Sequence, residues 1–217
     1  DDIEVGGELI YIFEDTTGRM TLKEVVAYDG FEVNRKKFPT NITPSSNYWI
    51  RFVVKSRDIE TDKWLLELLD PHIDEVELYE STSHGFIKRS LGQRKRFNQR
   101  DYKHKNFLFD IDLEPNTQKT FYVKIKSWQR VNFMLSLQTD EFFTFYSLNE
   151  YYLLGIYYGI LIIMAIYNLL LFFSTRERVY LFYVAYVLSI GLNSLLEDGT
   201  GFQYIWPESP VVTFWLW

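Results

Sequence analysis

Residues 151–173 read YYLLGIYYGILIIMAIYNLLLFF, 23 positions without a charge. At about 1.5 Å per helical residue the run covers about 35 Å, enough to cross the hydrocarbon core of a bilayer. Asn168 is its one amide side chain, and every other position is aliphatic, aromatic, Gly or Met. A core helix of a soluble domain keeps a water-facing stripe, and this run has none, so it is expected to span a membrane. Outward from it, the connector 174–178 leads to a second uncharged run at 179–196, making a helical hairpin. Residues 211–217 read as the opening of a third span that begins near 210.

The composition changes at Glu150. Up to that residue lie 21 of the 23 Lys and Arg and 25 of the 29 Asp and Glu, so the net charge of -6 describes mainly the N-terminal part. There is no Cys, which removes disulfides and thiolate sites and says nothing of the redox compartment. Asp1 is not an initiator Met, so a processed product or a piece of a longer chain is expected, with more sequence following Trp217. Arg176 and Arg178 lie in the hairpin connector, whereas residues 131–150 hold no Lys or Arg and the second connector opens with Glu197-Asp198. The excess of positive charge marks the cytoplasmic side. The N-terminal domain and the Glu197 loop are therefore expected outside the cytoplasm.

That domain reads as β-rich. Leu9 to Phe13 suggest a strand, and Thr21 with Glu24 matches a capping box before a short helix at 25–28. Residues 34–46, with Pro39 and Pro44, read as a long connection. Apolar and polar residues then alternate at Tyr48, Ile50, Phe52 and Val54; at Val76 and Leu78; at Phe107, Phe109, Ile111 and Leu113; at Phe121, Val123 and Ile125; and at Phe133, Leu135 and Leu137. With 64–69 and 85–88 added, about eight half-buried strands are available, which favours an antiparallel jelly-roll β-sandwich followed by transmembrane helices. The expected division is a sensor domain at 1–141, a juxtamembrane linker at 142–150, whose aromatics suit the interfacial belt, and membrane helices from 151.

Several residues invite a functional reading, each beside a plain one. Trp49 and Arg51 share the strand face opposite the apolar one, an arrangement that suits stacking and hydrogen bonding to a sugar, or simple packing under a loop. Trp64 and Trp128 are weaker instances. Residues 88–105 hold eight Lys and Arg, among them Arg100 and Lys103, against one acid, Asp101. Such a segment could hold an anionic ligand or lie on acidic lipid headgroups, or it could be a solvated loop. Asp110, Asp112 and Glu114 project from one strand face, too far apart for a calcium site by themselves. Glu14-Asp15 and Asp74-Glu75 evoke glycosidase carboxylates, but neighbours on a strand point to opposite faces. His72, His84 and His104 lack metal-ligand spacing. No nucleophile motif, phosphate loop or zinc signature is visible, so no catalysis, cofactor or metal is expected. Gly155 and Gly159 form a GxxxG that suits helix packing, as does Asn168.

These residues resemble a known family, the bacterial seven-transmembrane receptors with diverse intracellular signalling modules. In the membrane part the likeness runs through Leu154-Gly155-Ile156-Tyr157-Tyr158-Gly159, Tyr167-Asn168-Leu169, Arg176-Glu177-Arg178-Val179-Tyr180-Leu181 and Asp198-Gly199-Thr200-Gly201-Phe202. The N-terminal part is similar to the family's second extracellular domain type through Glu14-Asp15 with Gly18, Tyr48-Trp49-Ile50-Arg51-Phe52, 74–79, and Gly92 with Arg100. The family's acidic residue beside that Gly is replaced here by Gln93, followed by Arg94-Lys95-Arg96. No binding residue is carried over on family grounds. The resemblance implies a periplasmic jelly-roll sensor, seven helices in the bacterial inner membrane, and a cytoplasmic output module such as a histidine kinase or diguanylate cyclase. The expected partners are a small ligand, carbohydrate-like or anionic, held by Trp49, Arg51, Arg100 and Lys103; the lipid bilayer; and a second copy of the chain as a homodimer. Nucleic acid is not expected of a translocated domain. A membrane-anchored carbohydrate-binding or adhesion module is the alternative.

The charge asymmetry makes a topological prediction. Thr200→Cys should react with an impermeant thiol reagent on intact spheroplasts and Thr175→Cys should not, against a background free of Cys. Labelling at position 175 would reverse the orientation.

Overall fold

A computed structural model of the chain describes residues 2–5, 10–35, 39–40, 43, 46–56 and 63–216. Leu9, Pro44 and Trp217 lie outside them. In chain order the elements are β1 (Asp2–Val5), β2 (Tyr11–Asp15), α1 (Leu22–Val26), β3 (Glu32–Val33), β4 (Asn47–Lys55), β5 (Lys63–Leu68), β6 (Glu75–Thr82), β7 (Gly85–Leu91), β8 (Phe107–Asp112), β9 (Gln118–Lys126), β10 (Leu135–Thr139), α2 (Asp140–Thr175), α3 (Arg178–Glu197), α4 (Thr200–Tyr204) and α5 (Pro210–Leu216). The strands make two sheets, in the orders β1-β10-β5-β8 and β3-β2-β4-β9-β6-β7, with every pairing antiparallel.

Alternation sets which face meets which. In the larger sheet Ile50 lies opposite Val123 and Phe52 opposite Phe121, with the two phenyl rings stacked 5.3 Å apart. Trp64, Leu66 and Leu68 of β5, and Phe107, Phe109 and Ile111 of β8, supply the facing layer. All are buried in one core between the sheets. The expected β-sandwich is thus present. Beyond the expected strands, β1 and β3 are found; β3 has only two residues, and the alternation of Asp2-Ile3-Glu4-Val5 in β1 is at the shortest length that can be read. Phe133 precedes β10 rather than lying in it, yet its side chain is in the core.

A second apolar cluster sits on the outer face of the larger sheet. There Trp49 and Tyr122 are buried with Val25 of α1, flanked by Phe13, Met20, Leu22, Phe31 and Tyr79. The helix that covers them starts at the expected capping box, where Thr21 N donates to Glu24 Oε2 at 2.7 Å. One short helix is enough to turn an outward-facing Trp into a core residue.

Two helices, α2 and α3, are long and apolar enough to cross a membrane. Their apolar side chains face outward all round, as at Leu153, Ile163 and Phe182, 65%, 67% and 72% exposed. Water would not tolerate that surface, whereas hydrocarbon does. The two pack as a hairpin, with Leu161 against Gly191 and Tyr157 Oη within 2.9 Å of Ser194 Oγ. Gly155 and Gly159 take no part in that contact, since nothing would lie within 4 Å of a Cβ at either. Asn168 turns back on its own helix, donating to Met164 O at 2.8 Å.

The segment 142–150, expected as a linker, is helical. It is continuous with the first span, so α2 runs 36 residues, about 54 Å at 1.5 Å per residue. Truncating Trp49, 1% exposed, should cost about 3 to 5 kcal/mol. Trp49→Ala is therefore expected to lower the denaturation midpoint of the detergent-solubilised chain sharply, and a variant melting with the wild type would contradict the second cluster.

Candidate functional site

The four residues expected to hold a ligand do not come together. Trp49 lies under α1, Lys124 Nζ sits 5.6 Å from its ring, and Tyr79 stacks on it at 5.7 Å. It is packing, not a stacking platform. Arg51 is half-buried between the rings of Tyr11 and Phe31, 4.9 and 4.7 Å from its guanidinium carbon. Of the weaker aromatics, Trp64 is in the main core and Trp128 is half exposed.

Arg100 and Lys103 lie instead where the domain meets the membrane helices. Arg100, 5% exposed, is sandwiched between Phe97, Phe107 and Phe202, its guanidinium 4.6, 4.5 and 5.7 Å from the rings. Its Nη1 donates to His104 O and Lys105 O at 2.9 and 2.7 Å. Burial lowers its pKa to about 10, which leaves it charged at neutral pH. Lys103 Nζ donates to Asn98 O and Arg100 O, and Lys103 O accepts from Gln203 Nε2 at 2.9 Å. Residues 97–105 of the basic segment form an ordered docking loop, whereas Lys88 and Arg89 lie in β7 and pair with Glu77 and Glu80. The signal that could have found it is the apolar content of the segment itself, Phe97 and Tyr102 among the cations.

The loop after α3 completes that dock. Glu197 O is 2.9 Å from His72 Nε2, Pro207 O accepts from Phe97 N at 2.9 Å, and Asn98 Nδ2 reaches Glu208. Gly199, at φ 76, lets the backbone pass beside Pro71, where a Cβ would come within 2.8 Å of the Pro side chain.

The acidic pairs are structural at one member each. Asp15 accepts from Thr17 N, Gly18 N and Met20 N at 3.0 Å each; burial opposes its charge, but these bonds and the Thr17 hydroxyl hold the carboxyl below its usual range. Asp74 accepts from Gln93 Nε2 and Arg94 Nε, both at 3.1 Å, and from Trp128 N at 2.7 Å. A Cβ at Gly92 would meet Asp74 O at 2.1 Å, and its φ is 154, so only Gly allows this approach. Gln93 thus serves the position as an amide donor to a carboxylate. Asp110 and Asp112 share an outer face of β8, while Glu114 lies beyond the strand. No cluster of three or more metal-ligating side chains occurs among the described residues.

The contact between domain and first span is broader than a covalent link. The opening turns of α2 lie across the outer face of the smaller sheet, where Phe143 packs on Leu65 and Leu108 with Tyr102 beside them. Beneath them Glu67, 1% exposed, accepts from Asn106 Nδ2 at 2.7 Å and Gln138 Nε2 at 2.6 Å. Burial raises its pKa despite both amides. His104 accepts from Asn106 N at Nδ1 (3.2 Å), so its proton belongs on Nε2, which faces Glu150 Oε2 at 3.8 Å. Burial, then Lys105 and Arg100, push the imidazole down to about 3, so it is neutral. Lys105 Nζ pairs with Glu150 at 2.8 Å, and Tyr151 Oη joins the segment to α4 by donating to Gln203 Oε1 at 2.7 Å.

A second feature is a cleft of about 890 Å³ at the β2–β3 edge, lined by Phe13, Glu14, Tyr28, Glu32, Arg35 and Tyr48 among others. Tyr28 is 38% exposed there. Burial works against the Glu14 charge, and the hydroxyls of Ser46, Thr43 and Tyr48 outweigh it, holding the carboxyl below its usual range.

The 7TMR-DISM extracellular 2 family matches residues 7–139, and the 7TM diverse intracellular signalling family matches residues 150–217. The chain belongs to the 7TMR-DISM family. No curated protein matches it. As a 7TMR-DISM protein it is a membrane protein whose N-terminal domain is the extracellular sensing domain of a signalling receptor. The two matches leave 140–149 between them, the turns of α2 that lie on the sheet.

The buried imidazole fixes a pH dependence. The His104 pKa is depressed in the fold from 6.5 to about 3, so on acidification the unfolded chain takes up the proton first and stability falls from about pH 6.5 downward. Glu67 acts oppositely: raised from 4.5, it favours the folded state as pH falls through the window above 4.5. Melting temperature against pH for the wild type and for His104→Gln isolates the first effect. The variant should show the shallower fall below pH 6.5, and equal slopes would refute the neutral, buried imidazole.

Proposed function

We propose that this 7TMR-DISM chain is the ligand-sensing portion of a bacterial, multi-pass inner-membrane receptor, with a periplasmic jelly-roll domain that binds a small carbohydrate-like or anionic ligand. The bound state is passed through α2 and the α3–α5 loop to a cytoplasmic histidine kinase or diguanylate cyclase module, and this portion performs no catalysis, uses no cofactor and binds no nucleic acid. The observation that carries the reading is the unbroken α2, whose first turns are clamped on the sheet while the rest crosses the membrane. A displacement of the smaller sheet has no compliant linker in which to dissipate. A homodimer would place two such helices side by side, the arrangement a paired output module needs.

The ligand is assigned to the β2–β3 cleft in place of the Trp49 face. Tyr28 offers an exposed ring for stacking, Arg35 a fork of donors, and Glu14 and Glu32 acceptors for hydroxyls. Losing the ring or the charged donor should weaken binding about 5-fold to 100-fold.

The test uses the full-length protein. Saccharides and small organic anions are screened by thermal shift, and output activity is followed with and without each binder. Arg35→Ala should weaken binding with little change in melting, and Tyr28→Ala should weaken binding while also lowering the melting point, since its ring packs on Phe13 at 4.3 Å. Insertion of Gly-Gly between Asn149 and Glu150 should keep binding and uncouple output from it. Unchanged affinity in both cleft variants would remove the cleft, and a gene that ends soon after residue 217 without an output domain would favour an anchored carbohydrate-binding or adhesion module.

A further inference from the structure

The turn 92–96 forms a wall of two adjoining hollows at the membrane end of the domain. One, of about 120 Å³, is lined by Ser90, Lys95, Arg96, Gln99 and Arg100, with room for about four waters at about 30 Å³ each. The other, of about 340 Å³, is lined by Asp74, Gln93 and Arg94 on one side and by Pro210 and Val211 on the other. Val211 is 63% exposed. A cationic hollow beside an apolar cleft matches a molecule with an anionic head and an apolar tail.

These charges are not neutralised by close carboxylates. Lys95 and Arg100 form no ion pair among the described residues, and Arg96 has only Glu208 at 3.8 Å, with both side chains more than half exposed. Lys95 Nζ is held toward the hollow by Ser90 O and Ser90 Oγ at 2.8 and 2.9 Å. Arg100 is buried at the back, and its Nε has no hydrogen-bond partner among the described residues. Three cations and no carboxylate line the hollow, which leaves its local field positive.

Position selects the source of the anion. Phe97 N is bonded to Pro207 O, three residues before the first residue of α5, and Lys105 N to the hydroxyl of Tyr151, where the uncharged run of α2 starts. The hollow therefore lies at the level where the helices enter hydrocarbon. Tyr204 and Ile205, 65% and 58% exposed on the same loop, suit the interfacial belt.

We propose that this junction is a binding site for an anionic phospholipid of the adjacent leaflet, its phosphate among Lys95, Arg96 and Arg100 and an acyl chain against Pro210 and Val211. The lipid bridges the docking loop and the start of α5, so lipid charge biases how firmly the sensor is held to the membrane helices. This goes beyond the receptor reading and does not need the ligand of the cleft.

The test is native mass spectrometry of the full chain in neutral detergent, titrated with phosphatidylglycerol, with phosphatidylcholine and, separately, with inorganic phosphate. Each cation near an acidic surface changes the preference by about fivefold, so the wild type should favour phosphatidylglycerol over phosphatidylcholine by at least that factor. The double variant Lys95→Gln with Arg96→Gln, both exposed, should fold and melt like the wild type and bring the ratio near one. The double variant Arg19→Gln with Lys23→Gln, on and beside α1, removes the same charge from the outer face of the larger sheet and should leave the preference intact. A preference that survives the first pair, or falls equally with the second, overturns the site. Binding of inorganic phosphate without lipid preference overturns the lipid assignment.

Discussion

An α-helix carries a displacement along its axis only while its backbone bonds run unbroken, and α2 keeps them from Asp140 to Thr175. The rest of the molecule is arranged around that continuity. Its first turns are held by Phe143 on Leu65 and Leu108, which fixes the helix to the smaller sheet before it reaches the bilayer. Its last turn closes at Arg176 in the left-handed conformation, from which α3 returns at once. The sandwich thus addresses two membrane helices, one through a shared helix and one through the docked loop 197–210.

The junction is built from polar groups that water does not reach. Glu67 accepts from two amides, Arg100 donates to backbone carbonyls between three aromatic rings, and His104 accepts from a backbone N–H. Removing a partner from such a site leaves a desolvated group unpaired, which costs more than a surface contact would return. The geometry is therefore specified, and slippage between domain and helices requires several bonds to break together. The β2–β3 cleft is joined to the smaller sheet through the shared core, and that sheet meets α2. The chain of contacts is continuous, as packed interiors allow small shifts to be passed on.

The individual candidate residues were the least legible part. Trp49 and Arg51 do lie opposite the inner face, as alternation required, yet that face is closed by α1 and by Phe31. Nothing in β4 records what will cover it, because coverage comes from residues some 20 to 30 positions away. Arg100 and Lys103 stand in a segment whose charge suggested solvent, and the decisive partners, Phe202 and Gln203, are about 100 residues distant. The cleft at Tyr28 and Arg35 left no pattern at all, since it exists only between an edge strand and its connections.

The sequence by itself determined the division at Glu150, the two spans, the β-sandwich and the family, because hydrophobic length and two-residue alternation are local and are obeyed wherever a strand or span forms. The tertiary structure alone decided that 142–150 is a clamped helix rather than a linker, that Trp49 is core, and that the basic segment is a dock. Those outcomes depend on which surfaces meet. A helix start, a Trp or a cation looks the same in a sequence whether it faces water or another element, and only the arrangement of the sheets against α1, α2 and the loop after α3 makes that choice.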